Sequence, residues 1–165
     1  MLTIRLYKPK DYKKVLNFMK SVDKDFKPPI DSREGGLKKY FDDILKKNYN
    51  IYLLEKYKFF LFFPKIIGVV MFYKDSNGEQ VIKYIAIAKE YRGQGHGTEM
   101  MEMALRNIIK SKRVILRTWL TNKVAISLYK KFGFQIYRIL DEKDRLGEDK
   151  SIYMKLREEQ VDLQE

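Results

Sequence analysis

The sequence has no cysteine, a single histidine, a single tryptophan and only four prolines in 165 residues. Without cysteine there is no disulfide framework, no thiolate zinc site and no cysteine nucleophile. The one histidine, His96, sits in a glycine-rich turn, where it is expected to face solvent and to take no part in proton transfer. That excludes a Ser/His/Asp triad and a histidine-built metal site, and no other cluster marks a metal. No apolar run reaches the ~20 residues of a membrane span. The greasiest stretch, Phe59 to Tyr73, is broken by Pro64, Lys65 and Gly68. The opening Met1-Leu2-Thr3-Ile4-Arg5 lacks the basic and apolar regions of a signal peptide, so the expectation is a cytoplasmic protein with no membrane partner.

Positive charge and apolar content are plentiful. Hydrophobic residues make up 45% of the chain, and a chain of this length buries roughly 70% of its unfolded surface, enough for one real core. We expect a single domain over residues 1–157, followed by a polar tail at 158–165. The formal net charge is +12, and it is unevenly spread: residues 1–58 carry a net +7, 59–88 +1, 89–138 +8 and 139–165 −4. A basic third quarter asks for an anionic partner, and an acidic end suits a cationic one. Aromatic and lysine runs such as Tyr7-Lys8 and Tyr12-Lys13-Lys14 keep a nucleic-acid-binding module among the alternatives.

Strand and helix periods alternate without a linker or a repeat. Leu2, Ile4 and Leu6 alternate with polar neighbours as in a half-buried strand that stops at Pro9. Asp11 is placed to cap a helix with Val15, Phe18, Met19 and Val22 on one face. A second helix follows Gly35-Gly36, with Leu37, Tyr40, Phe41, Ile44 and Leu45 forming its stripe. Three strands follow, over 51–55, 66–73 and 81–88, the last two joined at the hairpin signal Asn77-Gly78. The run Phe59 to Phe63 either extends a strand or forms an apolar loop, and it is the first candidate for a subunit contact in a homodimer. After Gly97 comes a helix with Met101, Ala104, Leu105 and Ile108 on one face, then a short strand from Val114 to Arg117. A helix from Asn122 to Phe132 ends at Gly133, and two strands, 134–140 and 151–156, close the chain around a polar loop from Asp141 to Lys150. The order is β α α β β β α β α β β, an α/β mixture around one sheet.

The most informative stretch is Tyr91-Arg92-Gly93-Gln94-Gly95-His96-Gly97-Thr98, between an apolar strand and an amphipathic helix. Glycines at alternate positions let the backbone approach a ligand and turn several N–H groups toward it. Because a helix opens there, its positive dipole end coincides with those groups, and a phosphate or pyrophosphate is the expected guest. The spacing is neither G-x-G-x-x-G nor G-x-x-x-x-G-K-[ST], which excludes a dinucleotide fold and a Walker loop.

Arg92-x-x-Gly95-x-Gly97, after Ile85-Ala86-Ile87-Ala88, resembles the acyl-coenzyme-A signature of the GCN5-related N-acetyltransferase (GNAT) superfamily. Asn122-x-x-Ala125-x-x-x-Tyr129-x-x-x-Gly133-Phe134 resembles its second motif. The resemblance implies a mixed, mostly antiparallel sheet with one splayed strand pair and flanking helices. It also implies acetyl-CoA as cosubstrate and transfer of acetyl to a primary amine by direct attack in a ternary complex, without a metal. Pantetheine would pair with the backbone of Ile85 and Ile87, and the Ile87 N–H would hold the developing oxyanion. The pyrophosphate would rest on the turn formed by Gly93, Gln94, Gly95, His96, Gly97 and Thr98, with Arg92 adding charge; a Cβ at Gly95 or Gly97 would collide with it. Asn122 would bond the pantetheine arm, and as an ordinary helix N-cap it has a second reading. Tyr129 would protonate the departing thiolate; it also continues the apolar stripe of its helix, and by that pattern alone it is a core aromatic.

The acceptor is less legible. A carboxylate base is common near the strand before the glycine turn in this superfamily, and Glu79 is the acid that stands there, with a plain surface charge as its other reading. The segments implied to flank the acceptor are Asp23 to Gly36 and the loop Asp141 to Lys150. Glu148 and Asp149 of that loop would attract a cationic amine, peptide or polyamine, or serve solubility alone. Two further classes stand beside the enzyme: a non-catalytic acyl-CoA-binding regulatory domain and the nucleic-acid module.

Overall fold

The computed structural model describes residues 1–57, 64–108, 113–143 and 150–156. The expected order of elements is found: β1 (Leu2–Leu6), α1 (Tyr12–Val22), α2 (Gly36–Lys46), β2 (Asn50–Lys56), β3 (Lys65–Lys74), β4 (Gln80–Ile87), α3 (His96–Ile108), β5 (Val114–Trp119), α4 (Lys123–Lys131), β6 (Phe134–Lys143) and β7 (Lys150–Leu156). The strands form one sheet in the order β1-β2-β3-β4-β5-β7-β6. Every pairing is antiparallel except β4 with β5. A parallel neighbour needs a crossover, and α3 supplies it.

The two faces of the sheet bury two cores. Val15, Phe18, Met19 and Val22 of α1 and Leu37, Phe41 and Ile44 of α2, the residues whose helical spacing predicts burial, pack on Ile51, Leu53, Val69 and Met71. On the other face, α3 and α4 cover Ile67, Val70, Phe72, Ile82 and Leu116. Among the described residues no helix is long and apolar enough to cross a membrane. The run Phe59 to Phe63 and the polar tail lie outside the described residues.

Two local expectations change, at Asp11 and at the end of β6. Asp11 does not cap α1 with its side chain; its carboxylate accepts the Lys8 N–H at 2.8 Å and binds Arg5, whose guanidinium also grips the buried Glu55 of β2. The turn around the expected Asn77-Gly78 signal runs from Asp75 to Glu79 and is closed by the Asp75 carboxylate, which accepts both the Asn77 and Glu79 N–H groups at 2.9 Å. β6 also runs three residues past its expected end, with Lys143 opposite Lys150, so the loop between β6 and β7 narrows to 144–149.

Gly68 has a packing role that does not involve its backbone angles. A Cβ there would stand 2.7 Å from Ile87 Cδ1 and 3.2 Å from Leu54 Cβ, so only glycine lets the Ile87 side chain lie across β3. Gly68→Ala is expected to cost about 1–3 kcal/mol through overpacking. Chemical denaturation of the variant checks this; unchanged stability would show that Ile87 has room to move aside.

Candidate active site

β4 and β5 are paired only over their first three positions, ending at Ile82 opposite Leu116. Beyond that point β5 is held only by β7, through Arg117, Thr118 and Trp119. β4 stays on β3. A split therefore opens between Tyr84–Ile87 and Arg117–Trp119. The Ala88 N–H donates to Ile67 O at 2.8 Å, and Val69 pairs with Ala86. By the alternation of an extended strand, the backbone groups of Ile85 and Ile87 then face the split. These are the two residues expected to offer an added-strand edge.

The glycine turn lies at the end of this edge. Gly93 and Gly95 have φ of +72° and +87°, which favours glycine over any residue with a Cβ. Among the described residues, the N–H groups of Gly93, Gln94, Gly95, His96 and Gly97 donate no hydrogen bond, whereas those of Thr98 and Glu99 close the first turn onto Gly95 O. Five N–H donors thus stand open at the positive end of the 13-residue α3. At Gly97 φ is ordinary, and a Cβ would meet only Leu128 Cδ2, at 3.5 Å. Nothing in the protein itself demands glycine there.

Arg92 is engaged elsewhere: its Nε donates to Ile87 O at 2.8 Å and its Nη2 pairs with Asp25, from the connection after α1. It fastens the end of β4 to the segment implied to flank the acceptor. Asn122 is the N-cap of α4, its Oδ1 accepting from Ala125 N at 3.3 Å, while its Nδ2 donates to Thr118 Oγ1 at 3.1 Å across the base of β5. Tyr129 is 6% exposed and shares a core with Ile87 and Leu116, one from each arm of the split. Its hydroxyl makes no hydrogen bond among the described residues, and burial raises its pKa, so the phenol keeps its proton at neutral pH.

Two expectations fail to meet the others. Glu79 lies in the turn before β4, 3.4 Å from Arg113 and roughly 25 Å of strand from Ile87. It is not brought to the glycine turn. His96 does not face solvent: it is 7% exposed, with Nδ1 3.2 Å from Glu99 Oε2 within the first turn of α3. Glu148 and Asp149 lie outside the described residues.

The structure adds residues that the sequence pattern hides. Ile82 and Tyr84 are two apart yet belong to opposite cores, which a regular strand forbids. The cause is a bulge. Phe72 pairs with Ile82 and Met71 with Tyr84, leaving Lys83 extra at the point where the split begins. The ammonium of Lys83 has a lowered pKa, first through desolvation and then through Arg33, Arg117 and Lys47. Beside it Tyr84 stacks on Phe26, with ring centroids 4.9 Å apart, and Phe26 meets Trp119 edge-on at 6.2 Å.

Residues 48–136 match the acetyltransferase (GNAT) domain family, more than half of the chain. The chain belongs to the GNAT acetyltransferase family. Among curated relatives, this GNAT chain is 37% identical over 62 residues to N-alpha-acetyltransferase 30 of Schizosaccharomyces pombe, a stretch covering 36% of this chain and 41% of that protein. It spans less than half the length of the curated relatives it matches. The GNAT fold extends further than the sequence likeness. The ribosomal-protein-S18-alanine N-acetyltransferase from Escherichia coli superposes with a TM-score of 0.76 at 21% identity, over 94% of this chain and 93% of that one. The NatC complex bound to Gag peptide and CoA contains a chain that superposes with a TM-score of 0.72 at 18% identity, over 94% and 98%.

Proposed function

We propose that this GNAT chain moves an acetyl group from acetyl-CoA to a primary amine by direct attack in a ternary complex. The observation that carries the reading is one continuous surface: five open N–H groups at the start of α3 lead to the backbone edge of Ile85 and Ile87, where Arg92 Nε takes the Ile87 carbonyl and leaves the Ile87 N–H. The first part suits a pyrophosphate and the second a chain of amides. A solved chain of the same fold has CoA in its complex, which supports this fit.

The chemistry follows from the groups present. The amine nitrogen attacks the thioester carbonyl, and the Ile87 N–H takes the charge that develops on the carbonyl oxygen. The C–S bond then breaks, and the Tyr129 phenol protonates the leaving sulfur. The ammonium formed on attack gives up its proton to solvent, and Tyr129 recovers a proton from solvent, so one proton in all passes from nitrogen to sulfur. Glu79 is too far down β4 to act, and of the two carboxylates near Tyr84, Asp23 is held by the Ile30 and Asp31 N–H groups and Asp25 by Arg92. An α-amine, with a pKa near ~8, needs less help than a lysine at ~10.4. The α-amino group is therefore the favoured acceptor, in line with the N-alpha-acetyltransferase relative.

Two measurements test this. Acetyl-CoA at 100 times its Kd should stabilise the folded chain by about 2.7 kcal/mol in a thermal melt. Incubation with acetyl-CoA and a panel of peptides and small amines, read by mass, should then show acetylated product. No melting shift removes the reading; a shift without product from any amine would leave a binding domain.

A further inference from the structure

Arg92 directly precedes the five open N–H groups, yet its guanidinium turns back along β4. After the short turn Lys89–Tyr91, its Nε donates to Ile87 O at 2.8 Å. In an extended strand the N–H and C=O of one residue point to the same side. Both groups of Ile87 face the split, so the Arg92 Nε–H stands beside the Ile87 N–H that would receive the thioester oxygen. A positive charge thus sits next to the point where negative charge develops during acyl transfer.

A second set of contacts fixes that charge in place. Arg92 Nη2 pairs with Asp25, from the connection between α1 and α2. Phe26, the next residue, stacks on Tyr84 of β4 with centroids 4.9 Å apart and meets Trp119 of β5 edge-on at 6.2 Å, so the connection rests on both arms of the split. It is braced from within as well. The Asp23 carboxylate accepts the Ile30 N–H at 2.8 Å and the Asp31 N–H at 3.3 Å, and Asp31 Oδ1 accepts the Leu37 N–H at 3.1 Å. Glu90, the other acid near Arg92, is turned to Lys65 Nζ, 2.7 Å away. With 41% of the Arg92 side chain and 48% of the Asp25 side chain exposed, the pair adds little to stability, and its placement at Ile87 asks for another reason. The carboxylate weakens the field of the cation, but it holds Nη2 and leaves Nε at the split. A charge already aimed costs no reorganisation at the moment of reaction.

We propose that Arg92 is a positioning residue for the oxyanion site: it locks the backbone of Ile87 with its N–H toward the split and lends positive charge to the oxygen held there. The inference rests on the acetyltransferase reading and gives Arg92 a role other than the phosphate charge expected from the sequence. In the step it serves, the amine nitrogen bonds to the thioester carbon and the C=O electron pair moves onto oxygen. When the C–S bond breaks, that pair returns to rebuild the carbonyl. Arg92 acts through its field and exchanges no proton.

The experiment measures kcat and the Kd for acetyl-CoA separately in the whole chain, with the acceptor that leads the peptide and amine panel. The melting shift with acetyl-CoA supplies Kd and shows that each variant is folded. Arg92→Gln keeps a donor for Ile87 O without the charge. Its kcat should fall about 30-fold, below the roughly 10²–10³-fold loss of a direct oxyanion donor, while Kd changes less than about twofold. Arg92→Lys, which keeps the charge, should lose only about fivefold. Asp25→Ala frees the guanidinium to turn toward the open N–H groups, so kcat should fall about tenfold while acetyl-CoA binds no more weakly. The acyl group gives a readout that a purely structural role would not move. Chloroacetyl-CoA has a carbonyl oxygen that takes on negative charge more readily, and the chain has no cysteine for it to alkylate. With it the Arg92→Gln deficit should shrink to about threefold. A kcat for Arg92→Gln within twofold of the wild type would overturn the inference, and a weakened Kd at unchanged kcat would return Arg92 to the phosphates. Equal losses with both acyl groups would overturn the role of its charge. All three results leave acetyl transfer standing, whereas a wild-type chain that forms no acetylated product would overturn acetyl transfer and the role of Arg92 with it.

Discussion

Arg5→Met is expected to destabilise the fold by about 3–5 kcal/mol, the cost of stripping the partner from a buried charge. The Arg5 guanidinium holds two carboxylates at once: Nε and Nη2 reach Glu55 at 2.9 and 2.6 Å, and Nη1 and Nη2 reach Asp11 at 2.7 and 2.9 Å. The Glu55 side chain is fully buried and that of Asp11 nearly so, whereas Arg5 keeps 29% of its surface. The removed group is therefore the one that water replaces most easily, and the two left behind are the ones it cannot reach. For a domain of this size the loss corresponds to roughly 6–20 °C in Tm. The pH dependence fixes the cause. Hydrogen bonding to Arg5 holds the Asp11 carboxyl below its ordinary pKa, so this stabilisation is present above about pH 4 and is lost as pH falls through the folded-state value. In the variant the stranded Asp11 carboxylate takes up its proton more readily, so the gap between the two proteins should be widest near neutral pH and narrow in acid. Chemical denaturation at pH 5 and pH 7.5 checks both points, and a loss under about 1 kcal/mol at pH 7.5 would show that water reaches Glu55.

How much of this molecule was legible depends on whether a feature is local. Helical stripes such as Val15, Phe18, Met19 and Val22 are local, and they bury as their spacing requires. The open N–H groups at Gly93 to Gly97 follow from glycines inside one turn and from the helix behind it. What stayed hidden depends on contacts between distant segments. Asp11 reads as a helix cap until β1 and β2 bring Arg5 and Glu55 beside it. Arg92 reads as charge for a phosphate until Asp25, 67 residues away, takes its guanidinium. The bulge at Lys83 has no signature in Val81 to Ala88, which reads as an unbroken strand; the extra residue exists only in the pairing with Met71 and Phe72. His96 shows the limit of reasoning from a loop: the first turn of α3 starts at that residue, and the helix carries its side chain inward. Glu79 was close to the site in sequence and far from it along the strand.

Tyr129→Phe is expected to lower kcat by about 100-fold while KM for acetyl-CoA changes less than about threefold. The asymmetry comes from where the hydroxyl acts. It makes no hydrogen bond among the described residues, so its removal leaves no orphaned partner and the ring still packs against Phe134, 6.2 Å away, and Tm should stay within a degree or two. Its use is confined to the moment when the C–S bond breaks and the sulfur needs a proton. A thiolate with a pKa near ~8.5 leaves fairly well unaided, which places the effect at the low end of general-acid catalysis. The pH profile separates this role from a structural one. Burial raises the phenol's pKa, so Tyr129 stays protonated through neutral and mildly basic pH, and the wild-type rate should climb as the acceptor amine loses its proton. The variant should keep that rising limb at a lower height, because the amine still sets it, and a donor thioester with a better leaving thiol should recover part of the loss. A kcat within twofold of the wild type would return Tyr129 to the core as one more buried aromatic beside Ile87 and Leu116, and the proton for the sulfur would then come from water in the split.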